Sequence, residues 1–280
     1  MRAPLIQGAA LALLFAGCSS TAPDYPLLVQ TCLGDGGSCP PPTVTEPDGG
    51  PLPTGSSSSS SSSSGSGTGG AGVTLKGGVA LVSSPTFALA TATPYQGTAN
   101  VVGTGSQGIV TAPYGGSAGT MFDLSGLSAG TQWLLVQDTS GGTTVLSTWS
   151  AVTLPSASAV TLPLLDAQTL TQIAATIPSL TGGLSATAAQ VVVQVTKGGA
   201  PYANVSATSG VGGAVVVYDV GAGTYSATAK ATGTGGTLIL FNAQLSGQST
   251  VTLTDNASMA TIQVSVHAAP GAATVAVSAS

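Results

Sequence analysis

The chain reads as all-β: tandem antiparallel β-sandwiches behind a long non-globular leader, with one short helix near residues 166–177. Three observations predict this. Beyond Gly72 the sequence breaks into short runs rich in Val, Thr, Leu and Ala, interrupted by Gly or Pro roughly every eight to twelve residues, the spacing of hairpin-linked strands rather than of strand–helix–strand units. Apolar and polar residues alternate within these runs, most clearly from Thr261 to Ala268, where even positions are apolar and odd positions polar, so one face is buried and the other wet. Finally, only 5% of the 280 residues are charged while Gly alone numbers 40, so the surface must be built from Ser, Thr, Gly, Gln and Asn. That composition matches neither an ordinary cytosolic protein nor an acidic disordered tail.

The first element is Met1 to Gly17. Arg2 precedes the apolar run Leu5 to Ala16, and small residues lead directly into Cys18. A run of about twelve residues is too short for a bilayer, which takes roughly twenty, so it reads as a cleaved signal. Phe15-Ala16-Gly17-Cys18 resembles a bacterial lipoprotein lipobox, with Phe15 where Leu is usual and a single basic residue before the apolar run. The alternative is an ordinary secretory signal, which would need no cysteine. The resemblance implies that residues 1–17 are removed and that Cys18, acylated by a diacylglyceryl group and a further fatty acid such as palmitate, becomes the first residue. More than one acyl chain gives a durable attachment to the lipid bilayer. Ser19 rather than Asp after the cysteine resembles the family pattern sent to the outer membrane. With Cys18 acylated, Cys32 and Cys39 remain as an even pair in an exported chain. Either they close a small disulfide loop worth about 2.5 kcal/mol or they stay free thiols; two thiols with no nearby His lack the ligands of a zinc site.

Residues 18–72 form the second element, a tether. Pro40-Pro41-Pro42, Pro47, Pro51 and Pro53 favour extended chain, while Ser56–Ser64 and the Gly-rich run behind it favour flexible coil. Neither can bury a core. Over some fifty residues such a chain spans about 40 Å, enough to lift a folded unit clear of lipid head groups.

Two sandwich domains follow, expected over 73–180 and 190–280. Strands are expected at 73–82, 98–102, 131–137, 144–149 and 159–164, then at 190–196, 214–218, 224–231, 237–241, 250–254 and 260–267. Between the domains Asp166 is placed to cap a helix with Ala167, Leu170, Ile173, Ala174 and Ile177 on one face and Pro178 as its stop; the alternative is that the Thr-rich composition keeps this segment extended. The stretch Phe122 to Val136, with its Gly126-Leu127 turn and Gly130-Thr131-Gln132-Trp133 strand entry, resembles carboxypeptidase-regulatory-like, transthyretin-type sandwiches. Gly199-Ala200-Pro201-Tyr202-Ala203-Asn204-Val205 echoes the same family's opening, with Asn204 where glycine is usual, and Gly223-Thr224-Tyr225 supplies a Gly-x-Tyr. The resemblance implies two modules of one type, serving as accessory or adhesion units rather than catalysts.

Candidate chemistry is sparse. Gly115-Gly116-Ser117-Ala118-Gly119 matches the nucleophile elbow of a serine hydrolase, and Asp219 and His267 follow in the right order. In a chain this rich in Gly and Ser the pattern arises from composition, and the elbow needs a helix after it, whereas Thr120 to Leu124 reads as strand. Gly103, Gly105 and Gly108 match a dinucleotide fingerprint, as do Gly65, Gly67 and Gly70 inside the tether, but no helix is expected after either. His267, the one histidine, falls on the polar face of its strand and is expected to be exposed. No carboxylate group lies in a calcium-loop pattern. Beyond the signal, Lys76, Lys197 and Lys230 stand against nine carboxylates, a net charge of −6 and no basic cluster for nucleic acid. Trp133, Trp149, Tyr95, Tyr114, Tyr202, Tyr218 and Tyr225 are either core residues or a sugar-stacking platform. Asn204-Val205-Ser206 and Asn256-Ala257-Ser258 mark surface loops. The expectation is therefore a non-enzymatic, cofactor-free, metal-free envelope lipoprotein with a structural or adhesion role toward a protein or glycan ligand. A carbohydrate-binding module is the alternative, a serine hydrolase the least favoured reading.

Overall fold

The computed structural model describes residues 72–116, 119–142, 144–156, 159–208, 211–221 and 223–279. The signal segment 1–17, Cys18, the tether, Cys32, Cys39, Gly65, Gly67, Gly70 and Ser117 lie outside the described residues. Strands in chain order are β1 Val73–Val82, β2 Thr93–Pro94, β3 Ala99–Gly105, β4 Gly108–Tyr114, β5 Phe122–Leu127, β6 Gly130–Asp138, β7 Val145–Leu146, β8 Thr148–Leu154 and β9 Val160–Asp166. Helix α1, Ala167–Ala175, separates these from β10 Ala189–Lys197, β11 Ala200–Pro201, β12 Val205–Ala207, β13 Val215–Gly221, β14 Thr224–Ser226, β15 Thr237–Ala243, β16 Gly247–Asp255, β17 Ala260–Ala268 and β18 Ala273–Ala279.

In the first half, β8-β6-β3-β4 faces β5-β1-β9-β7 across a core that includes Leu75, Val101, Phe122, Leu134, Val136 and Leu162. The two layers touch at one corner, where Gly105 of β3 pairs Leu127 of β5. A Cβ on Gly105 would lie 2.5 Å from the Gly126 carbonyl oxygen, so only glycine lets the backbones approach there. In the second half, β14-β13-β15-β10-β18 faces a three-stranded sheet, β12-β16-β17. Val191, Val193, Val195, Leu238 and Leu240 meet Val251, Leu253, Val264 and Val266 between them.

The alternation in β17 places Val264, Val266 and Ala268 inward, as the sequence pattern requires. Helix α1 forms where expected. Asp166 Oδ1 and Oδ2 accept from the Gln168 and Thr169 amides at 3.3 and 3.0 Å, and Pro178 opens the 3-10 turn that ends the segment. Leu170, Ile173, Ala174 and Ile177 bury against Val192, Val217, Ile239 and Phe241, the opposite face of the second-half sheet. Val82, Phe87 and Leu165 of the first half enter the same cluster. Gln194 Nε2 donates to the Phe87 carbonyl at 2.6 Å and the Tyr225 hydroxyl to the Pro85 carbonyl at 2.7 Å, so the loop after β1 is clamped to the second half.

Several local expectations are corrected. The pairing is mostly antiparallel, yet β1–β9, β10–β18 and β18–β8 are parallel. Each half thus opens with a strand that pairs in parallel with its own closing strand, and β18 joins the halves by also pairing with β8. β2, β4, β11, β12 and β18 lie outside the expected strand ranges. The strand expected over 224–231 ends at Ser226, whose hydroxyl accepts from the Thr228 amide at 3.2 Å and turns the chain. The one expected over 144–149 divides at Ser147: β7 pairs with β9, whereas β8 pairs with β6.

Candidate functional site

The side chains with chemical potential gather where the halves meet. In β6 the inward positions are Leu134 and Val136 and the outward ones Thr131, Trp133 and Leu135; across the ladder Trp133 pairs Ala151 and Leu135 pairs Trp149. Both tryptophans therefore lie on the outer face of the first half. That face is covered by β17, whose outward residues are Gln263, Ser265 and His267. The His267 ring stacks on Trp149 with centroids 3.9 Å apart and lies 6.1 Å from Trp133. His267 is thus half-buried rather than exposed, because its polar strand face is a contact surface between the halves. Thr274 Oγ1 donates to the His267 carbonyl, and the buried Nδ1 has no hydrogen-bond partner. Burial holds the imidazole pKa below its ordinary 6.5.

Pairing between β8 and β18 ends at Ser150 and Val275. Beyond that point a groove of about 690 Å³ opens, lined on one side by Thr131, Trp133 and Ala151 and on the other by Gln248, Ser249, Thr250, Gln263, Val264 and Ser265, with Val277 and Ser278 of β18. None of these residues is charged. The outward positions of β16 and β17 were legible as the polar face of a hairpin; that they look across at Trp133 was not, because it depends on the junction of the halves.

The other candidates separate. Asp219 is 2% exposed and neither carboxylate oxygen closes a hydrogen bond. Burial pushes its pKa above the usual carboxylate value, against the opposing pull of the nearby Thr237, Gly233, Gly235 and Gly236 amides. Because its oxygens and His267 Nδ1 are all unpartnered, the Asp–His bond that would orient a general base is missing. The segment from Gly115 to Gly119 joins β4 to β5, so a strand rather than a helix follows it. Gly103, Gly105 and Gly108 lie in the β3–β4 hairpin, with Gly105 paired to Gly108, and no helix follows there either.

The aromatic residues mostly pack. Trp133, Tyr95, Tyr114, Tyr218 and Tyr225 are buried, while Trp149 and Tyr202 are half-buried, so the described residues present no flat stacking platform. The phenols act as clamps instead: Tyr95 donates to Asp138 Oδ1 at 2.6 Å, and Tyr202 to Asp255 Oδ2 at 3.0 Å. Asp255 also accepts from the Ser258 hydroxyl at 2.7 Å and the Ala257 amide at 2.9 Å, and these bonds hold its pKa down to about 2. Asn204 has φ +66°, the conformation that favours glycine at that place in the motif and that Asn tolerates. Ser206 Oγ donates to Asn256 Oδ1 at 3.0 Å, so the two Asn-x-Ser segments meet on the surface.

Among the described residues no group of three or more His, Cys, Asp or Glu side chains is placed to hold a metal ion, and no helix is long and apolar enough to cross a membrane. No protein-family model matches the chain, and no curated protein or solved structure is significantly similar to it.

Proposed function

We propose that the protein is a lipid-anchored lipoprotein of the bacterial cell envelope, most consistent with the outer membrane, that holds non-catalytic β-sandwich modules away from the bilayer for a structural or adhesion role. The observation that carries this reading is the short apolar run ending in Ala16-Gly17-Cys18. Cleavage there makes Cys18 the acylated first residue, and residues 18–72 supply a tether of about 40 Å. The modules have the surface such a role requires. From residue 72 onward the chain contains three lysines, five aspartates, no arginine and no glutamate, so it offers hydroxyls and amides to its surroundings. The missing Asp219–His267 bond and the strand after Gly119 support a non-catalytic reading. The repeated pairing of each half's first strand with its last supports treating 73–180 and 190–280 as two modules of one kind, of the carboxypeptidase-regulatory-like type.

Metabolic labelling with an alkyne palmitate analogue tests the anchor. Label is expected on the peptide that begins at Cys18, with a Cys32–Cys39 disulfide in the non-reduced digest. An unlabelled chain beginning at another residue would contradict it.

A further inference from the structure

We propose that the groove between β6/β8 and the β16–β17 hairpin is a binding site for a neutral oligosaccharide. The inference gives the adhesion role its ligand and rests on the reading of the protein as a binding rather than a catalytic module.

The groove's volume, about 690 Å³, falls in the range of ligand pockets. Seven of its eleven lining residues end in a hydroxyl or a primary amide. Most of these groups are uncommitted. The side chains of Gln248, Thr250 and Ser265 make no hydrogen bond within the described residues, and Gln263 uses only its Oε1, accepting from the Thr252 hydroxyl at 3.1 Å, which leaves both amide hydrogens free. Hydroxyls and amides donate and accept at once, and so do the hydroxyls of a sugar. A polyol therefore satisfies such a wall in both senses, where an ion satisfies it in one.

Charge narrows the ligand further. None of the three lysines lines the groove, so a phosphate, sulfate or uronate would find no cation to compensate its desolvation. A wholly apolar ligand would strip water from seven polar residues without replacing their hydrogen bonds. The apolar part of the lining is small: the accessible edge of Trp133, with Ala151, Val264 and the 57% exposed Val277. That matches the limited C–H faces of a sugar ring. Recognition here is by hydrogen bonding along a groove rather than by stacking on an open aromatic platform. Side chains from sheet faces supply most of the polar groups; the edges of β8 beyond Ser150 and of β18 beyond Val275 also border the groove, so an extended peptide is the competitor the test includes.

The test uses the full-length protein, extracted in a detergent without a sugar headgroup, on an array of neutral, uronic-acid and sulfated glycans. The best neutral ligand is then titrated by tryptophan fluorescence, with and without a competing extended peptide. Gln263 and Thr250 are exposed, so Gln263→Ala and Thr250→Val leave the fold intact, checked by their urea midpoints. Neutral glycans are expected to bind with an affinity that does not change with salt, and each substitution is expected to weaken binding about tenfold. Retention of acidic glycans alone, of no glycan, displacement by the peptide, or equal affinity in both variants would overturn the proposal. Failure here leaves the envelope anchor standing, because labelling at Cys18 is read independently.

Discussion

The two halves share a plan and differ in how their first strands are buried. β1 and β10 each pair in parallel with the last strand of their half and antiparallel with a middle strand. In β1 the exposed Thr74 and Lys76 alternate with the buried Leu75 and Val79, and the outer face stays wet along its first part. β10 carries Gln190-Val191-Val192-Val193, all buried, because Val191 and Val193 face the small sheet while Val192 faces α1 and the loop of the first half. A continuous apolar run is what a strand covered on both sides requires. The second half is therefore the interior partner, and the first half supplies part of its cover.

The largest test of that asymmetry is Phe87. Its ring belongs to the first half's loop, is 1% exposed in the shared cluster and meets Tyr225 edge-on at 6.1 Å. Phe87→Ala is expected to cost about 3–5 kcal/mol in urea unfolding and to lower the stability of both halves together. Two separate transitions, with only one moved, would show that the halves do not share this core. Next, Val192→Ala in β10 is expected to cost about 2 kcal/mol, whereas Thr74→Ala on the wet face of β1 stays within about 0.5 kcal/mol. Asp166→Ala removes the α1 cap and is expected to cost about 1 kcal/mol.

Three titratable groups of the second half make its stability depend on pH. His267, held below pKa 6.5, resists in the folded state a proton that the unfolded chain accepts. Its contribution is complete above pH 6.5 and is lost as the pH falls below it. The signal to follow is tryptophan emission, since the ring sits on Trp149. Asp255, held at about 2, contributes stability above pH 3.8 that is lost as the pH drops toward 2; Asp255→Asn should flatten that limb. Asp219 has the opposite sign. Its pKa is raised, so the folded state favours the proton and stability falls as the pH rises from 3.8. Asp219→Asn should accordingly raise the melting temperature at neutral pH and lose that advantage in acid.

Much of the fold was legible from short-range pattern. The β17 alternation and the Asp166 cap with its apolar stripe act within a few residues, so the sequence carries them locally. β4, Gly108-Ile109-Val110-Thr111-Ala112-Pro113-Tyr114, carries Pro113 one residue before its end, which an edge strand tolerates and a central one does not, so its sequence argues against a strand. In β18, Ala273-Thr274-Val275-Ala276-Val277-Ser278-Ala279, four of the seven residues are Ala or Ser, and its partners β10 and β8 lie far off in sequence. The site was legible only in part. The parity of His267 was correct, but what its face meets depends on the union of the halves, and the groove depends on where β8 and β18 part. Neither has a local signal.

The proposed anchor holds this β module at a membrane through one cysteine. Cys18→Ala, expressed beside the parent and followed by fractionation of the cells, tests it most directly. The parent is expected in the membrane fraction and the variant outside it. A variant that stays with the membrane as the parent does would contradict it.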